Sequence, residues 1–183
     1  MEYSVIRSQR KTIGMQIKRG RVIVRAPIGV SEAQLRRFVD AHRDWLEKHL
    51  AAAQEREADY ANVIPLTSAE LHELARKACE IIPQRVRYYA SLLGVTYGRI
   101  TVRNQRTRWG SCSAKGNLNF NCLLMLAPPQ VLDSVVVHEL CHRLEMNHSE
   151  RFYKEVYRVF PQYDQWHGWL KENGEALMRR MER

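Results

Sequence analysis

The sequence predicts an α+β protein in which a few short strands and a larger set of helices occupy separate stretches of chain. Three observations point there. Apolar and polar residues alternate around positions 12–24 and again around 100–122, the period of a half-buried strand. Between and after those stretches, apolar residues recur every three or four positions, which is one face of a helix. Two of the helical stretches open on capping boxes, Ser31-Glu32-Ala33-Gln34 and Thr67-Ser68-Ala69-Glu70. With 183 residues, 45% of them hydrophobic and 27% charged, the chain is long and apolar enough to bury a core without disulfides.

Thr12, Gly14 and Gln16 alternate with Ile13, Met15 and Ile17, and after a break at Arg19-Gly20 come Val22, Val24 and Ala26-Pro27. These first thirty residues read as a basic β-hairpin. Leu35, Phe38, Val39, His42, Trp45, Leu46, His49 and Leu50 then predict one amphipathic helix to about residue 55, with His42, Trp45 and His49 as core or interface residues. Residues 54–66 are polar and end at Ile64-Pro65, the composition of a connector. The expected organisation is therefore an N-terminal hairpin-plus-helix module over 1–60 and a main core over 67–183.

The next helix carries Leu71, Leu74, Ala75, Ala78, Ile81 and Ile82. Pro83 should break or kink it, and the pattern resumes through Val86, Tyr89, Ala90 and Leu93 to a stop at Gly94. Short β patterns follow at Ile100/Val102, at Trp109 and at Leu118/Phe120/Cys122, with a turn at Ala114-Lys115-Gly116 and a close at Pro128-Pro129. Helices over about 129–145, from Ser149 to Phe160 and over about 163–182 complete the chain.

Composition excludes several classes. No apolar run approaches the length of a membrane span, and Met1-Glu2-Tyr3-Ser4-Val5 is not the start of a secretory signal. Cys79, Cys112, Cys122 and Cys141 form neither a CxxC pair nor a disulfide framework, so a reduced, cytoplasmic protein is expected. The formal charge of +9 is local: residues 1–25 hold seven Lys/Arg and one acid, and 99–116 hold five and none. Arg7, Arg10, Lys11, Lys18, Arg19, Arg21 and Arg25 suit a hairpin whose edges are guarded by charge. Arg99, Arg103, Arg106, Arg108 and Lys115, interleaved with Trp109, could attract nucleic acid or an acidic partner.

The chemistry concentrates at His138-Glu139-Leu140-Cys141-His142, followed by His148. At i and i+4 on a helix, His138 and His142 share one face and can reach one ion. Glu139 projects beside that ion, where a carboxylate can take a proton from water. His148 is the third ligand on this reading, brought back by a turn at Met146-Asn147, and it leaves one tetrahedral position open. The spacing matches the metzincin HExxHxxxxxH, but Glu145 stands where that signature has Gly, so the turn differs. An accidental HExxH in this composition has odds of roughly 2%, and the preceding Val131, Leu132, Val135, Val136 and Val137 bury the helix that carries it. Buried imidazoles and a carboxylate call for a partner, which a metal supplies.

Arg108-Trp109-Gly110-Ser111-Cys112-Ser113, Gly116-Asn117-Leu118-Asn119, Val135 through His142, and Asn147-His148-Ser149-Glu150-Arg151-Phe152 together resemble the YgjP-like metallopeptidase family, more distantly the SprT/Spartan-type zincins. The resemblance implies a zincin-like core: a small mixed or antiparallel sheet beside an active-site helix. It implies one zinc ion on His138, His142 and His148, Glu139 as catalytic base, and a peptide or protein substrate. Tyr153, Tyr163, His167 and Arg108 are candidates to stabilise an oxyanion. The strand at 109–113 or at 117–121 is the candidate edge for substrate, with Asn117, Asn119 and Asn121 on one face. Two other readings stay open: a basic nucleic-acid-associated protein with a structural metal, and a non-proteolytic metal-dependent hydrolase.

Overall fold

A computed structural model describes residues 2–18 and 20–181. Arg19, counted above in the basic N-terminal set, lies outside the described residues, as does Met1. The chain forms two compact units, Met1–Asn62 and Val63–Arg183. Among the described residues no helix is long and apolar enough to cross a membrane.

The first unit is a three-stranded sheet with two helices. Strands β1 (Tyr3–Ser8), β2 (Gly14–Lys18) and β3 (Arg21–Pro27) lie in the order β1-β3-β2. β2 and β3 make the expected antiparallel hairpin, closing at Gly20 with φ +65°, a left-handed conformation that favours glycine. Residues 3–8 correct the hairpin reading by adding a third strand parallel to β3, with Tyr3 opposite Val22. The predicted single helix is also two, α1 (Glu32–Asp40) and α2 (Arg43–Asp59). At the break His42 sits at φ −119°, ψ 21°, its N–H turning to the Val39 carbonyl at 3.1 Å while its Nδ1 lies 2.8 Å from the Phe38 carbonyl. Leu35, Val39 and Leu46 bury against Val22, Val24 and Ala26. His42, Trp45 and His49 are exposed rather than core, with Trp45 and His49 stacked at 4.4 Å. Arg7 is a clamp, bonding the Val30 carbonyl at 2.6 Å and Glu32 at 2.7 Å.

In the second unit, α3 (Ser68–Leu93) runs through Pro83 without a break. Ala78 and Ile82 before the proline and Val86 and Tyr89 after it are all buried, so packing on both sides holds one axis despite the missing donor. Both bonds of the Thr67/Glu70 capping box form, and Gly94 ends the helix at φ +70°. Strands β4 (Ile100–Arg103), β5 (Gly110–Cys112) and β6 (Leu118–Asn121) build a mixed sheet in the order β4-β6-β5. β6 pairs parallel with β4 and antiparallel with β5. The strand pattern expected to reach Cys122 stops at Asn121, whose side chain caps a 3-10 turn over Cys122–Leu126.

Helix α4 (Pro129–Cys141) begins with proline in its first turn and is buried on nearly every side. It is shorter than predicted. Arg143 donates to the Leu140 carbonyl, and Leu144 and Glu145 donate to Cys141, a tightened turn that ends the helix at Cys141. Helices α5 (Glu150–Val159), capped by Ser149, and α6 (Tyr163–Arg179) complete the unit. α4 is tied to α3 by a bidentate pair in which Arg85 meets both carboxylate oxygens of the buried Asp133 at 2.6 Å.

Candidate active site

The last turn of α4 presents His138, and His142 caps the helix one turn on, so the i, i+4 spacing delivers two imidazoles to one side. The chain then turns over residues 143–147 and returns His148 just before α5. The three rings form a near-equilateral triangle, with centroid separations of 5.0, 4.9 and 4.9 Å. Phe152, fully buried on α5, lies 4.8–5.0 Å from all three and closes one side of the triangle with an apolar ring. The three histidines and Glu139 also line an open cleft together with Arg108, Gly110, Ser111, Cys112 and Met146.

The hydrogen bonds orient the rings. His142 Nδ1 is 3.2 Å from the Glu145 carbonyl, an acceptor only, so Nδ1 carries the proton and Nε2 the lone pair. His138 Nδ1 is 2.8 Å from the Tyr163 hydroxyl, which faces His167 Nδ1 at 3.3 Å, and this leaves His138 Nε2 for the cleft. His138 Nε2 and His148 Nε2 approach to 3.0 Å, and one ligand atom from each of the three histidines lies within 4.8 Å of the others. Burial, then the neighbouring imidazoles, depress the His138 pKa to about 3, and burial lowers that of His142. With His138 and His142 held towards the neutral form that ligates, and three ring nitrogens gathered this closely, the donor set fits a metal ion held by three nitrogens.

Glu139 is 6% exposed, and burial lifts its pKa to about 7 against the opposing pull of Arg108 and of the Cys112 backbone N–H. Gly110 makes room for it: a Cβ there would stand 2.5 Å from Glu139 Oε1. The carboxyl is thus pressed against the first residue of β5, beside the histidine triangle.

The two edge-strand candidates separate. β5 is an outer strand of its sheet and lines the cleft, whereas residues 118–121 form the central strand. The three asparagines are structural. Asn117 accepts from Arg99 N, Asn119 donates to Ser111 Oγ, and the buried Asn121 donates to the Gln105 and Arg108 carbonyls at 2.7 and 3.1 Å. Of the oxyanion candidates, Arg108 lines the cleft, Tyr163 is engaged with His138, His167 lies beyond Tyr163, and the Tyr153 ring is tilted 6.5 Å from His148. Cys141 is buried away from the triangle, its thiol pushed up to about 12 by burial and Glu155. Phe152, Gly110 and the ring-holding role of Tyr163 are contributions that sequence spacing does not reveal.

An HExxH helix and a third histidine packed beside a small mixed sheet define a metallopeptidase-type domain. The chain belongs to the YgjP-like metallopeptidase-domain family, whose model matches residues 11–75 and 67–173. It is similar to the metallopeptidase zymogen abylysin of Pyrococcus abyssi, at 18% identity over 50% of this chain and 94% of that one, with a TM-score of 0.46. It is also similar to the zymogen jannalysin of Methanocaldococcus jannaschii, at 19% identity, 50% and 94% coverage and a TM-score of 0.45. No curated protein matches the chain.

Proposed function

We propose that this chain is a zinc-dependent peptidase in which His138, His142 and His148 hold one metal ion and Glu139 is the general base. The observation that carries the reading is the imidazole triangle, one nitrogen of each ring within 4.8 Å of the others, beside a buried carboxyl whose pKa burial raises to about 7. When bound, zinc supplies Lewis acidity, polarising a peptide carbonyl and lowering the pKa of a water at its open position. Three protein nitrogens and an open front are the ligand arrangement of a catalytic zinc; a structural zinc takes four.

Each of the chain's own groups has a defined task. Tyr163 and the Glu145 carbonyl hold the His138 and His142 rings by their Nδ1 atoms, which fixes the ring planes, and the carbonyl, an acceptor only, also sets the His142 tautomer. Glu139 removes a proton from the attacking water and delivers it to the leaving amide nitrogen. A carboxyl whose pKa is near 7 can both accept and release that proton at neutral pH. Arg108 places positive charge at the cleft, where it limits the burial penalty on ionised Glu139 and faces developing oxyanion charge. The free edge of β5 offers backbone donors and acceptors to an extended peptide.

His148→Ala tests the assignment. Purified wild-type protein should carry one zinc per chain, and the variant should lose both the metal and peptide cleavage. Wild-type metal content with normal cleavage in His148→Ala rules the ligand set out. A comparison of protein fragments in cells carrying the active chain and its Glu139→Gln form identifies substrates, and an absence of Glu139-dependent fragments favours a non-proteolytic hydrolase.

A further inference from the structure

Beside the catalytic cleft lies a second one, between Trp109 and the face of α6 that carries His167, Leu170, Lys171 and Met178, with Arg106 on its rim. Resting on the peptidase reading, we propose that this second cleft selects a substrate side chain bearing a carboxylate, with Arg106 and Lys171 as the specificity-determining cations.

Position comes first. His167 leads into this cleft, and its Nδ1 is 3.3 Å from the Tyr163 hydroxyl that in turn lies 2.8 Å from His138 Nδ1. Trp109 immediately precedes Gly110, the first residue of the edge strand β5, so a peptide paired along β5 brings a side chain to the indole. The wall is fixed. A Cβ at Gly174 would fall 3.1–3.3 Å from three indole atoms of Trp109, so the glycine lets the ring lie close against α6. With buried Leu170 and half-buried Met178, the indole gives an apolar floor suited to methylene groups.

Charge then decides what the mouth accepts. Arg106 and Lys171 are exposed, and among the described residues no carboxylate pairs with either. The acid that lines the cleft, Glu175, is bound to Arg179 at 2.9 Å. Other cations of the basic stretch around β4–β6 are committed to structure elsewhere: Arg143 donates to the Thr96 and Ala114 carbonyls, and Arg103 to Asn119. The mouth therefore keeps two uncompensated positive charges over an apolar floor. A glutamate side chain matches both parts, with its methylenes on the indole and its carboxylate at the rim, while lysine or arginine meets repulsion.

The test uses the full-length zinc-loaded protein on a randomised peptide library, with Glu139→Gln as the blank. Wild-type cleavage sites should be enriched in Glu or Asp at one fixed position from the scissile bond. The kcat/KM ratio of matched Glu and Lys peptides should be about tenfold or more, as expected for two partly exposed ion pairs, and should shrink at high salt. Arg106→Glu/Lys171→Glu should invert that ratio, while Lys171→Arg, which keeps the charge, should preserve it. Cleavage without an acidic preference, or a preference that survives charge reversal, overturns the proposal and leaves the peptidase reading standing. Absence of any Glu139-dependent cleavage removes both. If charge reversal abolishes binding of a single-stranded oligonucleotide but leaves the peptide ratio unchanged, the cations serve nucleic acid and the proposal falls.

Discussion

Gly110→Ala probes the site with a single methyl group. A Cβ at this position would stand 2.5 Å from Glu139 Oε1, 2.7 Å from its Cγ and 2.9 Å from its Cδ, where ordinary contact begins at 3.4 Å. Relieving the worst overlap requires the carboxyl to move by about 0.9 Å, the difference between 3.4 and 2.5 Å. Gly110 is not among the glycines with positive φ, so the backbone accepts alanine and the effect comes from the clash alone. Glu139 is 6% exposed and borders the cleft, so the displaced carboxyl is driven from its packed position towards that space. A displacement near 1 Å of a group that must meet a water in one geometry costs about 10²-fold in rate, with about 1–3 kcal/mol of overpacking on stability. The assay is kcat/KM on a cleaved peptide together with zinc per chain: the rate should fall about a hundredfold with zinc retained, because the nearest atoms all belong to Glu139 and none to a histidine. In a Glu139→Gln background the same change should add nothing. Wild-type kcat/KM in Gly110→Ala would show that Glu139 does not act from where the fold holds it.

Three further outcomes follow from the geometry. Tyr163→Phe keeps the buried ring but removes the hydroxyl 2.8 Å from His138 Nδ1, so zinc affinity in a chelator competition should fall about 10–100-fold with little change in melting temperature; unchanged affinity refutes the ring-holding role. Asn121→Ala strands the Gln105 and Arg108 carbonyls and the Leu123 N–H, at about 1 kcal/mol each, and trypsin should cut faster after Arg106 and Arg108. Arg85→Ala leaves Asp133 buried without its partner and should cost about 2 kcal/mol in urea unfolding, whereas an apolar replacement of both residues should recover most of it.

The parts of this protein written in local sequence are legible from that sequence alone. Both capping boxes form, Gly94 ends its helix, and the buried setting of α4 follows from its run of valines. The grouping of His138, His142 and His148 was also legible, because helical spacing and one short turn determine it. What escaped depends on contacts distant in sequence. β1 finds β3 across the hairpin, Pro83 is carried through by packing on both sides, and Tyr163 reaches His138 from 25 residues away. The break at His42 is a backbone event, φ −119° and ψ 21°, inside an apolar periodicity that runs on through Leu46 and Leu50. The asparagines of β6 alternate as a substrate-facing row would, yet their partners make them structural, a distinction that only the loop at 105–108 and the neighbouring strands supply.

The most direct test of the central claim measures zinc content and peptide-bond hydrolysis on the same preparations of wild-type protein and Glu139→Gln. One zinc per chain is expected in both, with hydrolysis in the wild type alone. Hydrolysis that persists in Glu139→Gln, or wild-type protein that cleaves peptides without zinc, would contradict it.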